Sequence, residues 1–254
     1  MSKPTIPNNH HLCSSLPSTL QWGIVCGCLF GSATLMSAKA ADGAKVSAEF
    51  RGQAMKVAWE TNLNYCQDWL AGKDFKTLGE TSAGLIVLAE VQTRQTEDEA
   101  WQKSAQKFRE QAVKLEAAAK AENVDQAKQV LVQLRELSAA FAKLPPPTVS
   151  TNHEAAAGRG KMNALMTLID GTYADAKTSV SRGDPQAAKY NAYMLSELGQ
   201  LLSHERSDAR WKNWSQQFVA ASHDTALAPT TDSTELRNLL KVIRTRCDDC
   251  HKKR

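Results

Sequence analysis

An internal repeat on either side of a proline-rich segment constrains the fold of this chain more than any other feature. The run Leu144-Pro145-Pro146-Pro147 cannot continue a helix and divides residues 41–254 almost in half. The two halves match at one offset over most of their length. In the last segment the offset is shorter by one position. The clearest matches pair Asp74 with Asp184, Asp98 with Asp208, Trp101 with Trp211, and Phe108 with Phe218. Each half must therefore be a folding unit of its own.

The composition and the start signals predict that each unit is a bundle of helices. Gly (13) and Pro (8) are sparse, and runs with strand periodicity are missing, which favours an all-α fold. In the second half, four capping signals begin four helices, namely Thr151-x-x-Glu154, Asp184-Pro185, Asp208 and Asp232. Short loops make successive helices antiparallel neighbours. We expect two tandem up-down-up-down four-helix bundles, a first over residues 41–145 and a second over residues 146–254.

Residues 1–40 have the composition of an export leader. Their only charges are Lys3 and Lys39, and residues 22–36 form an apolar run that Ala38-Lys39-Ala40 follows. This pattern predicts a signal peptide that is cleaved before Ala41. The run is short for a membrane span, which needs about 20 residues, although an uncleaved N-terminal anchor stays an alternative. Either interpretation predicts an exported protein, periplasmic in a bacterium.

The chain ends in Cys247-Asp248-Asp249-Cys250-His251, the C-x-x-C-H pattern of covalent haem attachment. Two thiols three residues apart can bond to the two vinyl groups of one haem, and the adjacent imidazole can bind its iron. A structural zinc site would need four ligands, and a thioredoxin-like dithiol would need a βαβ context. We therefore expect one haem c, with His251 as the proximal iron ligand.

The helix phase of the last segment agrees with this expectation. The cysteines continue an apolar stripe at steps of three and four residues, formed by Leu236, Leu239, Leu240, Ile243, Cys247 and Cys250. His251 follows Cys247 by four residues and therefore lies on the same face.

A four-helix bundle with C-x-x-C-H near the end of its last helix resembles cytochrome c-prime and its methionine-ligated relatives. The resemblance covers about residues 152–254 and includes a Cys-x-x-Cys-His ending followed by a basic terminus. The chain differs from the family ending in its acidic pair between the cysteines, in the missing aromatic residue, and in Arg254, which stands one position early. The resemblance implies that His251 is the proximal ligand. It also implies that helix one supplies a distal ligand or an apolar blocking side chain.

The other side of the iron is predicted from the inward stripe of the helix that begins the second bundle. Met162 faces the core at about the height of the haem, and Met166 lies one turn deeper, so we rank Met162 ahead of Met166 as the candidate sixth ligand. Core filling is the alternative for both methionines. Trp214 is expected in the apolar wall, and Arg159 is a candidate partner of the haem propionates.

The first bundle is expected to contain no haem. Depending on the register, the attachment positions correspond to Leu137, Ala140 and Phe141, or to Ser138, Phe141 and Ala142. None of these side chains can attach haem or bind iron. Met162 corresponds to Gly52 and Trp214 to Ser104, so the pocket residues are missing together, and the bulky Phe141 is expected to close the space.

These features predict one-electron transfer in an exported space, with a redox partner protein. The basic residues around the attachment point, Arg244, Arg246, Lys252, Lys253 and Arg254, suggest that this partner is acidic. The alternative is a five-coordinate haem protein that binds nitric oxide or carbon monoxide. A peroxidase-like enzyme is less favoured, since no distal histidine with a partner arginine is evident. Charges in the two halves are nearly balanced, which excludes a typical nucleic-acid-binding domain. Whether two copies of the chain form a homodimer is left open by the sequence.

Overall fold

The structure is a computed structural model that describes residues 46–94, 98–145, 162–205 and 208–252. These residues are almost all helical and include no strand, which confirms the all-α prediction for the described part of the chain. The helices are α1 (Ala48–Gly72), α2 (Phe75–Arg94), α3 (Glu99–Lys120), α4 (Val124–Phe141), α5 (Met162–Ser181), α6 (Pro185–His204), α7 (Ala209–Leu227) and α8 (Ser233–Lys252).

The helix boundaries agree with the repeat. The starts of α6 and α7 follow the starts of α2 and α3 by the same offset, and the start of α8 follows that of α4 by an offset shorter by one position. The predicted caps are present: the Asp208 side chain accepts a hydrogen bond from the Trp211 N–H, and the Asp232 side chain accepts from Thr234 and Glu235. Asp184 caps α6, whose first residue is Pro185. Local capping chemistry therefore sets where α6, α7 and α8 begin.

Within each half, consecutive helices pack together and the fourth helix contacts the first. This arrangement closes a ring of four antiparallel helices, α1 to α4 in the first bundle and α5 to α8 in the second. Both rings enclose an apolar core, with Trp59 and Phe108 among the fully buried side chains of the first and Phe218 and Met194 among those of the second.

The two bundles also pack against each other, through α1 on α6 and α2 on α5. Phe50 of α1 meets the rings of Tyr190 and Tyr193 edge-on, with ring centroids 4.8 and 5.9 Å apart. Ala44–Arg254 accordingly forms one compact unit with a continuous apolar core. That the chain divides into two separate bundles at residue 145 stays a prediction.

Several expectations fall outside the described residues: the leader over residues 1–40, the capping box at Thr151, and Arg159. None of the helices in the part of the chain that the structure describes is long and apolar enough to cross a membrane.

Candidate functional site

Helix α8 carries both cysteines on the face that packs into the second bundle. Leu236, Leu240 and Ile243 are buried, and Cys247 and Cys250 continue the same face as partly buried side chains packed against the core. His251 lies in the last turn and is exposed. The stripe that the sequence predicts is therefore present, and it leaves the cysteines half-buried at one end of the bundle.

A cavity of about 260 Å³ lies beside this end of α8. Cys247 and His251 line it from α8, and the other walls come from α5, α6 and α7. The remaining lining residues are Met166, Ile169, Asp170, Leu202, Trp214, Phe218, Arg244 and Asp248. Five of these are apolar and three are charged, so the cavity has an apolar interior with charges on its α5 and α8 sides.

The two candidate methionines of α5 line different cavities. Met166, Ile169 and Asp170 stand at i, i+3 and i+4 and so share the face that lines the cavity. Met162 lies one turn earlier and lines a different cleft, with Phe75 and Gly79 of α2. Four residues correspond to about 6 Å along the helix axis, and it is Met166 that lines the same cavity as Cys247. Whether either methionine binds iron stays a prediction.

Trp214 lies in the cavity wall, where the sequence places it. Its indole N–H donates a hydrogen bond to the carbonyl oxygen of Arg246, which joins α7 to the turn of α8 that precedes Cys247. Its ring packs between Trp211, at a centroid distance of 5.4 Å, and Phe218, at 5.9 Å. Phe218 follows Trp214 by four residues, a spacing from which its place in the wall could have been inferred.

Helix α5 is joined to α8 near the cavity by a second hydrogen bond. The Tyr173 hydroxyl donates to the carbonyl oxygen of Leu240 over 3.2 Å. Tyr173 therefore links the helix that carries Met166 to the helix that carries the cysteines.

The acidic pair between the cysteines is matched by arginines of the same helix. The Nε atom of Arg244 lies 3.1 Å from an oxygen of Asp248, and its Nη1 atom lies 4.0 Å from an oxygen of Asp170 on α5. Arg246 lies 3.8 Å from Asp249. Two members of the predicted basic cluster thus face carboxylates, which reduces the net positive charge around Cys247. Lys253 and Arg254 lie outside the described residues.

The environment of Cys247 is largely dehydrated. Burial raises the pKa of its thiol to about 11, and of the neighbouring charges Arg244 opposes this rise while Asp170 and Asp248 add to it. The thiol is therefore protonated at neutral pH, which is unlike the thiolate of a dithiol redox motif. No disulfide joins Cys66, Cys247 or Cys250, the cysteines that the structure describes.

The corresponding end of the first bundle is closed by aromatic packing. Phe141 is buried, and its ring meets that of Trp101 edge-on at a centroid distance of 4.3 Å. The Trp101 indole N–H donates to the carbonyl oxygen of Pro145 over 2.8 Å. The space left there is about 90 Å³, against about 260 Å³ beside Cys247. Phe141 therefore fills its end of the bundle, as the sequence predicts.

Not all of the other residues considered lie in the described part of the chain or line the cavity. Arg159 lies outside the described residues, so its pairing with a propionate stays a prediction. On α6, Leu202 lines the cavity, whereas Leu198 and Leu201 are buried elsewhere in the core. Asp170 also lines the cavity and was not expected there, because its partner Arg244 is distant in sequence and only packing brings α5 and α8 together.

Among the described residues, no three His, Cys, Asp or Glu side chains are grouped as they would be to hold a metal ion. Comparison of the chain with protein-family models, with curated proteins and with solved structures gives no match.

Proposed function

We propose that this chain is an exported mono-haem c-type cytochrome that transfers single electrons. In this proposal Cys247 and Cys250 attach one haem c, His251 binds the iron from the proximal side, and Met166 is the candidate ligand on the other side. The observation that carries the proposal is the cavity at the end of the second bundle, which Cys247 and His251 line from α8 and Met166 lines from α5.

The residues around the cavity fit a haem. Apolar side chains from three helices suit the faces of a macrocycle, and the spacing of the cysteines suits its two vinyl groups. The cavity of about 260 Å³ is below the 300–1,000 Å³ typical of pockets that enclose a small molecule. We therefore expect one edge of the group to remain in contact with solvent, near the exposed His251.

A bound haem would supply an Fe(III)/Fe(II) couple that accepts and releases one electron. The chain's own contribution is to hold the iron ligands, to exclude water with Ile169, Leu202 and Phe218, and to leave an edge at which a partner can dock. Because Arg244 and Arg246 face carboxylates, an acidic redox partner is supported mainly by Lys252 and the terminal Lys253-Arg254. A partner reduction rate that does not fall with added salt would contradict this part of the proposal.

The attachment of haem is tested by the mass of the protein produced in a host that attaches haem to exported cytochromes. We expect the mass of one added haem on the chain and a haem-bearing peptide that contains both Cys247 and Cys250. Cys247→Ala combined with Cys250→Ala should abolish the addition. Cys66→Ala is the matched control and should retain it, because Cys66 is buried in α1 of the other bundle. A wild-type chain without added mass would overturn the proposal.

The distal ligand is tested by ferric and ferrous absorption spectra of Met166→Ala beside Met162→Ala. We expect a low-spin ferric spectrum with a Met-to-iron band in the red for the wild type. Met166→Ala should lose that band and become high-spin, and Met162→Ala should keep it, because Met162 lines another cleft. The reverse result would restore Met162 as the ligand.

The gas-binding alternative would follow from a high-spin ferric spectrum in the wild type. Its support is that the cavity beside His251 is lined mainly by apolar side chains, which suit a neutral diatomic ligand. In that case Met166 would block or shape the distal side without binding iron, and carbon monoxide should bind the ferrous protein without displacing a side chain.

A further inference from the structure

Three charged side chains meet at the wall of the cavity. Arg244 of α8 lies between Asp248, one turn further along the same helix, and Asp170 of α5. All three line the cavity together with Met166 and His251. The site therefore contains two carboxylates and one guanidinium beside the position proposed for the iron, a net charge of minus one.

We infer that Arg244 raises the reduction potential of the iron by offsetting the negative charges of Asp170 and Asp248 at the cavity wall. This inference rests on the proposed haem site and concerns a role beyond attachment and ligation. Arg244 is therefore more than a member of a basic docking cluster: its distances to Asp170 and Asp248 place it at the cavity wall.

The physical reason is the charge that the iron gains on oxidation. Neighbouring carboxylates stabilise Fe(III), and a neighbouring cation destabilises it, so the potential rises when a positive charge is near. The attachment point lies within the field of these groups, since Arg244, Asp170 and Asp248 all act on the Cys247 thiol. Without Arg244 the two carboxylates would remain unbalanced, and Fe(III) would be favoured.

The side chains are only partly shielded from water. The exposed fractions are 53% for Arg244, 67% for Asp170 and 42% for Asp248. Their interaction with the iron is therefore screened by salt, and the effect should be largest at low ionic strength.

The test is the reduction potential of Arg244→Gln, measured at low ionic strength on haem-loaded protein. We expect the Fe(III)/Fe(II) equilibrium to shift about tenfold towards Fe(III), which corresponds to a potential about 59 mV lower for one electron. Arg244→Lys retains the charge and should shift the potential much less. The shift in Arg244→Gln should shrink when salt is added.

Arg246→Gln is the matched control. Arg246 is also an arginine of α8 paired with an aspartate, Asp249 at 3.8 Å, but it does not line the cavity. We expect its loss to shift the equilibrium less than twofold. A shift as large as that of Arg244→Gln would overturn the inference, because any nearby positive charge would then suffice.

Asp170→Asn provides a second variant that does not remove the arginine. Asp170 is mostly exposed, so the substitution should not disturb folding, and we expect it to raise the potential. In Arg244→Gln it should restore most of the lost potential. Unchanged potentials in both single variants, with haem attached, would overturn this inference and leave the proposed function intact. A wild-type chain without haem would overturn both.

Discussion

One glycine shows how closely the wall of the cavity is packed. Gly199 of α6 faces α7, and a Cβ atom at this position would lie 2.7 Å from Cδ1 of Phe218 and 2.9 Å from Cγ2 of Val219. Real Cβ atoms do not approach so closely, so a side chain here would push Phe218, which lines the cavity. Gly199 therefore permits the close contact of α6 and α7 that forms the wall.

Gly199→Ala should lower the free energy of unfolding by about 1–2 kcal/mol. Overpacking costs about 1–3 kcal/mol, which exceeds the gain of about 0.5–1 kcal/mol from the better helix propensity of alanine. Gly171→Ala in α5 is the control: nothing lies within 4 Å of its added Cβ, so it should stabilise by up to about 1 kcal/mol. Urea unfolding of both variants measures the difference, and equal effects would contradict the packing argument.

Single residues also decide which of the two bundles has a cavity at its end. Phe141 occupies the end of the first bundle with an aromatic ring, whereas the second bundle has smaller side chains, Cys247 and Cys250, on the equivalent helix. The backbone arrangement is shared, so the difference between a closed and an open end depends on side-chain volume.

The two ends of α8 differ: its first turn is capped, and its last turns carry the cysteines and His251. Its first turn is fixed by Asp232, whose carboxylate accepts hydrogen bonds from the N–H groups of Thr234 and Glu235 at 2.9 and 2.8 Å. The cysteines and His251 lie at its other end, about five turns away. Changes at the cap should therefore affect folding without changing the site.

Asp232→Ala should lower the free energy of unfolding by about 1 kcal/mol, because it leaves two helix N–H groups without their cap. If the proposed haem is attached, its content and absorption spectrum should equal those of the wild type. Asp224→Ala, which removes an exposed carboxylate inside α7, should change the stability by less than about 0.5 kcal/mol. Chemical unfolding and absorption spectra are the measurements. Loss of haem in Asp232→Ala would show that the two ends of α8 are coupled.

In the whole molecule, the contacts between the bundles are related by the repeat. The pairs α1 on α6 and α2 on α5 are equivalent when the two halves are exchanged. The Tyr65 hydroxyl donates a hydrogen bond to Asp175, and these two positions correspond to each other in the repeat. Equivalent residues meet in this way at a two-fold axis, so the bundles associate as two subunits of a symmetric dimer do. The first bundle thus covers faces of α5 and α6 within one chain.

Asp175 makes this contact sensitive to pH. Burial raises its pKa above the usual 3.8, although the Tyr65 hydrogen bond and Arg182 oppose the rise. A raised folded-state pKa means that the ionised carboxylate costs stability at neutral pH. This cost declines as the pH falls through the folded pKa and is absent below the unfolded value of 3.8.

Asp175→Asn cannot titrate, and its amide oxygen can still accept from Tyr65. We therefore expect its stability advantage over the wild type to be largest at pH 7 and to narrow as the pH is lowered towards 4, measured by urea unfolding. Tyr65→Phe removes a donor that lowers the pKa of Asp175, so it should move the same transition to higher pH. An advantage that grows in acid would contradict the argument.

The sequence by itself determined the helices, the register of the repeat and the attachment motif. These features are local: a cap acts within four residues, and an apolar stripe follows the helical period. Only the tertiary structure decided that Met166 and not Met162 lies in the cavity, that Arg244 faces Asp170, and that α1 packs on α6. Each of these depends on the axial offset between helices distant in sequence. That offset is set by side-chain packing together with contacts such as Tyr173 with Leu240, and an axial error of four residues, about 6 Å, exchanges one methionine for the other.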